Sequence, residues 1–291
     1  MRIDRRVFLA ALPAFAFVSR PAWAQAEHAC AAIEARTGGR LGVAVLDGTG
    51  APRILHRAEE RFPFCSTFKF LVAGAVLKRV DEGKERLDRR IAYGTDDIIQ
   101  HSPVTKANLG KGMSVADLCA ATVTLSDNAA ANLLLATLGG PKGLTAMLRA
   151  IGDTVTRNDR WETALNSAIP GDPRDTTSPL AMARDIHALV VGDVLSPPSR
   201  TLLATWLYDC KTGDDRLRAG LPGWRVGDKT GTGGATTGTV NDVGIAVPPG
   251  AAPGTRPIIL SVYLTQSRLD LAGSNAAIAE VAALAARTLT K

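Results

Sequence analysis

The stretch "WRVGDKTGTGGATTGTVNDVGIAVPPGAAPGTRPIILSVYLT" (224–265) decides the fold. It holds three strand-like runs, 224–230, 239–247 and 257–265, rich in Val and Ile and bounded by Gly, Pro and Thr. Connections this short cannot hold a crossover helix, so the three runs are expected to pair antiparallel. Two further runs, "LGVAVLD" (41–47) and "RILH" (53–56), lie toward the other end of the chain and join across Gly48 and Gly50.

Everything between reads as helix. A helix is expected from about Thr67 to Val80, with Phe68, Leu71, Val72, Ala75, Val76 and Leu77 on a broad apolar face. "SVADLCAATVTL", "NAAANLLLATL" and "GLTAMLRAI" follow, broken at Ser126-Asp127 and at Gly139-Gly140-Pro141. Residues 160–177 show neither period, two more helices are expected at 179–191 and 198–209, and a last one runs from about Gly273 to Leu289. The order strands, helices, strands, helix implies an α/β (α+β) fold: a mainly antiparallel sheet built from both chain ends and flanked by helices, with an all-α domain inserted. The expected division is a sheet domain from 25–62 and 210–291, and a helical domain from 63–209 that carries a long loop at 160–177.

The first 24 residues read differently. Arg5 and Arg6 precede an apolar run that ends in Ala22-Trp23-Ala24, the pattern of a removable export signal. With Phe8 and Leu9 behind them, the paired arginines resemble a twin-arginine signal; a general-secretion signal is the other reading. The run from Val7 to Val18 is too short to span a bilayer, so the expected product is a soluble periplasmic or secreted chain of 267 residues with no membrane attachment.

Charge excludes one class of partner. The net charge is +6, and the signal contributes four arginines against one aspartate, which leaves +3 without a basic stripe; no nucleic acid is expected. The four histidines are scattered and no CxxC or HExxH occurs, so neither metal nor other cofactor is expected. Cys30, Cys65, Cys119 and Cys210 would meet an oxidising compartment, where three full pairings are open.

Three short motifs carry chemistry. Ser66 and Lys69 stand three apart at a helix start and so share a face; burial would make the lysine a better base toward the hydroxyl. The ordinary reading of Ser66 is a helix N-cap. Ser126-Asp127-Asn128 sits in a break between helices, where a hydroxyl and an amide can project into a cleft. Lys-Thr-Gly occurs twice: Lys211-Thr212-Gly213 reads as the cationic last turn of a helix with a glycine stop, whereas Lys229-Thr230-Gly231 ends a strand and runs into Thr232.

Ser-x-x-Lys, Ser-Asp-Asn and a strand-borne Lys-Thr-Gly, in that order, form the set by which class A β-lactamases and penicillin-binding proteins are recognised. Across its expected mature length the chain resembles a class A serine β-lactamase, which implies the β-lactamase/transpeptidase-like fold, a monomer, and small-molecule β-lactam substrates of the penicillin and cephalosporin type. The resemblance makes Ser66 the nucleophile, activated by Lys69 or by Glu162 through a water, and Ser126 the proton relay. Asn128 would hold the substrate amide, Lys229 and Thr230 its carboxylate, and the Ser66 and Thr232 N–H groups the oxyanion, with Gly231 letting the backbone come close. Residues 160–177 resemble the family's omega loop, in which Glu162 and Asn166 would hold the deacylating water. A D,D-carboxypeptidase or a non-turnover β-lactam sensor shares the other parts and lacks this base. Arg160 and Asp175 would close the loop neck, and the Glu162-Thr163 bond would be cis.

The chain also departs from the family pattern. Arg216 matches the place where some members supply a guanidinium for the substrate carboxylate, its ordinary reading being a solvated arginine; His101 stands where relatives carry an aromatic gatekeeper. In the resemblance, carbapenem-hydrolysing members bridge the residue before the nucleophile to a cysteine whose place here is Gly233, so Cys65 is left without that bridge. Carbapenem hydrolysis is therefore less expected than that of penicillins and cephalosporins, the substrate spectrum staying open. Cys119 likewise faces Ala73 instead of a cysteine. Buried free thiols are expected at both.

Overall fold

The computed structural model describes residues 22–289. All but the last three residues of the expected export signal lie outside the described residues. In chain order the main elements are α1 (Ala22–Thr37), β1 (Arg40–Leu46), β2 (Pro52–His56), α2 (Phe68–Asp81), α3 (Pro103–Ala107), α4 (Val115–Thr124), α5 (Asn128–Thr137), α6 (Gly140–Ala150), α7 (Pro179–Val190), α8 (Pro197–Tyr208), β3 (Arg225–Thr232), β4 (Val240–Val247), β5 (Ile258–Thr265) and α9 (Leu271–Leu289).

The sheet order is β2-β1-β5-β4-β3, every pair antiparallel, with β1 from one end of the chain seated on β5 from the other. Both faces are covered, and strand alternation divides the side chains between them. Leu41, Val43 and Val45 of β1 and Leu260, Val262 and Leu264 of β5 pack with Ala26, Cys30 and Ile33 of α1 and with Ile278 and Val281 of α9. Ala44, Leu46, Ile259 and Tyr263 point the other way, into a larger core shared with α2, α4, α5, α7 and α8. Helix α2 is buried from Phe68 to Leu77, which its nearly uninterrupted apolar sequence requires.

The strands and central helices follow the sequence-based expectation. Helix α1 does not: no helix is read there, although Ala26, Cys30 and Ile33 already fall at helical spacing and become its buried stripe. A second correction concerns Lys211-Thr212-Gly213. Helix α8 ends at Tyr208, and these residues form the loop after it, pinned where the Lys211 N–H donates to the Thr124 carbonyl at 2.9 Å.

Several contacts seat the segment before α2 on the sheet. The hydroxyls of Thr67 and Tyr263 share a hydrogen bond of 3.0 Å, and Asn241 Nδ2 donates to the carbonyls of Pro63 at 2.9 Å and Phe64 at 3.3 Å. Phe62 and Pro63 pair antiparallel with Thr177 and Thr176, which fixes the end of the 160–177 loop beside the same segment.

Candidate active site

Ser66 lies in a 3-10 turn, Cys65–Thr67, that leads into α2. Residues three apart nearly eclipse in such a turn, and Lys69 Nζ donates to Ser66 Oγ at 3.0 Å. The ammonium is fully buried and has five oxygens around it. Besides Ser66 Oγ these are the Ser126 carbonyl at 2.8 Å, Ser126 Oγ at 3.2 Å, Asn128 Oδ1, and Glu162 Oε1 at 3.0 Å. Burial pushes the Lys69 pKa down, against the opposing pull of the Glu162 and Asp127 carboxylates.

The Ser-Asp-Asn turn is held from behind by Asp127, a residue to which the sequence reading gives no role. Its buried carboxylate accepts the N–H groups of Ala130 at 2.9 Å, Val104 at 2.9 Å and Thr105 at 3.0 Å, capping α5 and fastening α3 to it. Ser126 is thereby held at φ 58°, and Cys65 and His101 are also left-handed, at 47° and 58°. Conformations of this kind cost non-glycine residues about 1–3 kcal/mol each and collect where a site fixes its side chains. His101 Nε2 donates to the Leu125 carbonyl at 3.0 Å, and Asn128 Nδ2 donates to that of Gln100 at 2.7 Å.

From the sheet come Lys229, Thr230, Gly231 and Thr232, the last residues of β3. Gly231 is required by closeness: a Cβ there would stand 2.8 Å from the Phe64 carbonyl, so only glycine lets the strand lie against the Ser66 turn. Lys229 Nζ donates to Ser126 Oγ at 3.1 Å, which puts that hydroxyl between two lysines. Burial first, and the charge of Lys69 in addition, push the Lys229 pKa down to about 8.

Arg216 is buried, at 7% exposure, and is not a solvated side chain. Its guanidinium donates to the carbonyls of Gly231 at 3.0 Å and Asn241 at 2.7 Å, to Thr232 Oγ1 at 2.9 Å and to Asn275 Oδ1 at 2.9 Å. It reaches the cleft beside Thr232.

The 160–177 loop brings Glu162 to the back of the same site. The Glu162-Thr163 peptide is cis, and Glu162 Oε1 lies 3.4 Å from Ser66 Oγ. Asn166 Nδ2 donates to Glu162 Oε2 at 2.5 Å. Asn132, which the sequence reading passes over, brackets the Glu162 backbone: Nδ2 donates to its carbonyl and Oδ1 accepts its N–H, each at 3.0 Å. The signal was available, because Asn132 is four residues beyond Asn128 on α5 and faces the same way. At the loop neck Arg160 Nε donates to Asp175 Oδ2 at 2.5 Å, and the other oxygen of Asp175 accepts the N–H groups of Asp159 at 2.7 Å and Arg160 at 3.0 Å.

These groups surround a cleft of about 710 Å³ whose walls include Ser66, His101, Ser126, Asn166, Arg216 and Thr230. Lys69 and Glu162 stand behind Ser66, shielded from solvent. A hydroxyl beside a carboxylate at 3.4 Å and a buried lysine at 3.0 Å, which accepts a proton once neutral, can attack a carbonyl attached to an anionic group in this cation-lined cleft. All four cysteines are unpaired and buried.

A family model described as the β-lactamase enzyme family matches residues 25–289. The chain is 48% identical to the β-lactamase AST-1 of Nocardia asteroides over 258 residues, 88% of this chain and 81% of that protein. It is also 48% identical to the carbapenem-hydrolysing β-lactamase KPC of Klebsiella oxytoca over 256 residues, 88% of this chain and 86% of the other. Among solved structures, the ancestral class A β-lactamase reconstructed for the last common ancestor of Gram-negative bacteria superposes with a TM-score of 0.87 at 60% identity, covering 91% of this chain and all of that one.

Proposed function

The chain belongs to the β-lactamase enzyme family and is a class A serine β-lactamase, and from this we propose that it hydrolyses penicillins and cephalosporins through an acyl-enzyme on Ser66. Cleavage of the β-lactam amide is the basis of β-lactam resistance. The observation that carries the proposal is the position of Glu162, 3.4 Å from Ser66 Oγ and held by Asn166 and Asn132, as a base that removes the acyl group must be.

Ser66 Oγ bonds to the lactam carbonyl carbon, and its proton passes to Lys69 Nζ in its neutral form or, through a water, to Glu162. The lactam C–N bond breaks, and Ser126, between Lys69 and Lys229, hands a proton to the leaving nitrogen. Lys229, Thr230 and Arg216 attract the ring carboxylate, Asn128 holds the side-chain amide, and His101 forms part of the rim. The N–H groups of Ser66 and Thr232 receive the oxyanion. In the second half a water between Glu162 and Asn166 gives a proton to Glu162 and its oxygen to the acyl carbon; the C–Oγ bond breaks and Ser66 regains its proton. With a β-lactam, a D,D-carboxypeptidase or a sensor would stop at the acyl-enzyme, with no base so placed.

Carbapenems are proposed as poor substrates: Cys65 carries a free thiol and Gly233 offers it no partner. We further propose a periplasmic or secreted monomer exported by the twin-arginine route; among the described residues no helix is long and apolar enough to cross a membrane. Steady-state hydrolysis of a chromogenic cephalosporin by the protein tests the proposal, and a single stoichiometric burst without turnover would favour the sensor.

A further inference from the structure

Lys-Thr-Gly occurs twice in the chain, and the structure brings the two threonines together: Thr212 Oγ1 and Thr230 Oγ1 share a hydrogen bond of 2.7 Å. Both line the cleft. We infer that Thr212 is a positioning residue for the reaction, one that aims the Thr230 hydroxyl at the carboxylate of the substrate. The inference rests on the proposed carboxylate role of Thr230.

A threonine hydroxyl has one proton to give and two lone pairs. When Thr212 donates to Thr230, the Thr230 proton is free to point elsewhere, and a carboxylate beside Lys229 is the strongest acceptor at hand. The order Thr212 to Thr230 to carboxylate satisfies every acceptor in turn and polarises the last bond.

Thr212 itself is fixed on every side. Cys210 Sγ lies 3.3 Å from Thr212 Oγ1, and burial raises that thiol's pKa, so it stays protonated and neutral. Before Thr212 the loop is pinned at Lys211 N–H. After it, Gly213 packs so tightly that a Cβ would meet Asp228 Oδ2 at 1.7 Å. With helix α8 ending at Tyr208, the loop that follows brings this threonine to the end of β3.

The test compares Thr212→Val, Thr212→Ala and Thr212→Ser on a penicillin and on the same compound with its carboxylate esterified. Loss of one hydrogen bond predicts a rise in KM of about three- to tenfold for the free acid, with kcat within about twofold. The ester should respond to neither Val nor Ala, and Ser should restore the wild-type KM. In a Thr230→Val background, Thr212→Val should add nothing, because it acts through the hydroxyl already removed. An unchanged KM in Val and Ala, equal losses on acid and ester, or additive effects in the double variant would overturn the inference. Should Thr230→Val itself leave the KM of the free acid unchanged, the proposed carboxylate site fails instead, and the two failures are told apart.

Discussion

Lys69 Nζ and Glu162 Oε1 lie 3.0 Å apart with both side chains fully buried, and Ser66 Oγ is within reach of each. A buried pair of this kind contributes little net stability, since desolvation offsets the attraction. Its value lies in holding beside one hydroxyl a carboxylate that can take a proton and a lysine that becomes an acceptor once it has given its own proton up, as burial favours. Removing the cation by Lys69→Ala should lower the single-turnover acylation rate by about 10²–10⁴, the usual worth of a positioned acid or base. Acylation within threefold of wild type would show that Lys69 is only packing.

Lys229 supplies a pH signature. With its pKa pushed down to about 8, it is charged at neutral pH and loses its charge as the pH rises through 8. The kcat/KM for carboxylate-bearing β-lactams should fall along a limb with an apparent pKa near 8, while the esterified substrate shows only the limb due to Lys69. Stability moves the other way. Between pH 8 and the ordinary value of 10.5 the unfolded chain binds a proton that the folded one does not, so this group's contribution rises with pH over that window. A flat acid-substrate profile from pH 7 to 10 would contradict the assignment.

Asp175 anchors the neck of the 160–177 loop. Its carboxylate is fully buried and takes hydrogen bonds from Asn158, Asp159 and Arg160. Asp175→Ala takes the buried carboxylate away from the Arg160 guanidinium, which keeps only Asp172 at 3.9 Å, and from two half-buried N–H groups, at a cost of about 3 kcal/mol, the low end for a buried pair, or a fall in Tm on the order of 10 °C. Thermal unfolding checks this, and a fall below 2 °C would mean that the neck is held elsewhere.

How much of this was legible depends on the range of the signal. The strands and central helices announce themselves by periods of 2 and 3.6, and Ser66 with Lys69 by a spacing of three. Glu162 and Lys229 needed the family resemblance, because nothing local brings residues 96 and 163 positions beyond Ser66 to its side. Other features lay beyond both. Helix α1 shows only three small or medium apolar residues in a stripe, too few to stand out beside an export signal. The 2.7 Å meeting of Thr212 with Thr230 depends on where α8 stops, and the left-handed backbone at Cys65 and Ser126 on tertiary packing. No local pattern encodes either.

The cysteines give a covalent check. All four are buried and unpaired, and burial holds the thiol of Cys30 up at about 12 and raises those of Cys65 and Cys119 further. A maleimide should leave the native protein unlabelled for hours and add to four thiols once it is unfolded in denaturant without reductant. Two labels instead of four would reveal a disulfide and contradict the arrangement.

The central claim is that Glu162 makes this site a hydrolase by discharging an acylated Ser66. The most direct measurement is the intact mass of Glu162→Ala mixed with a penicillin. The account predicts a persistent adduct of one substrate mass on Ser66, absent from the Ser66→Ala variant, with turnover at least about 10²-fold below wild type. Turnover at the wild-type rate with no adduct would contradict it.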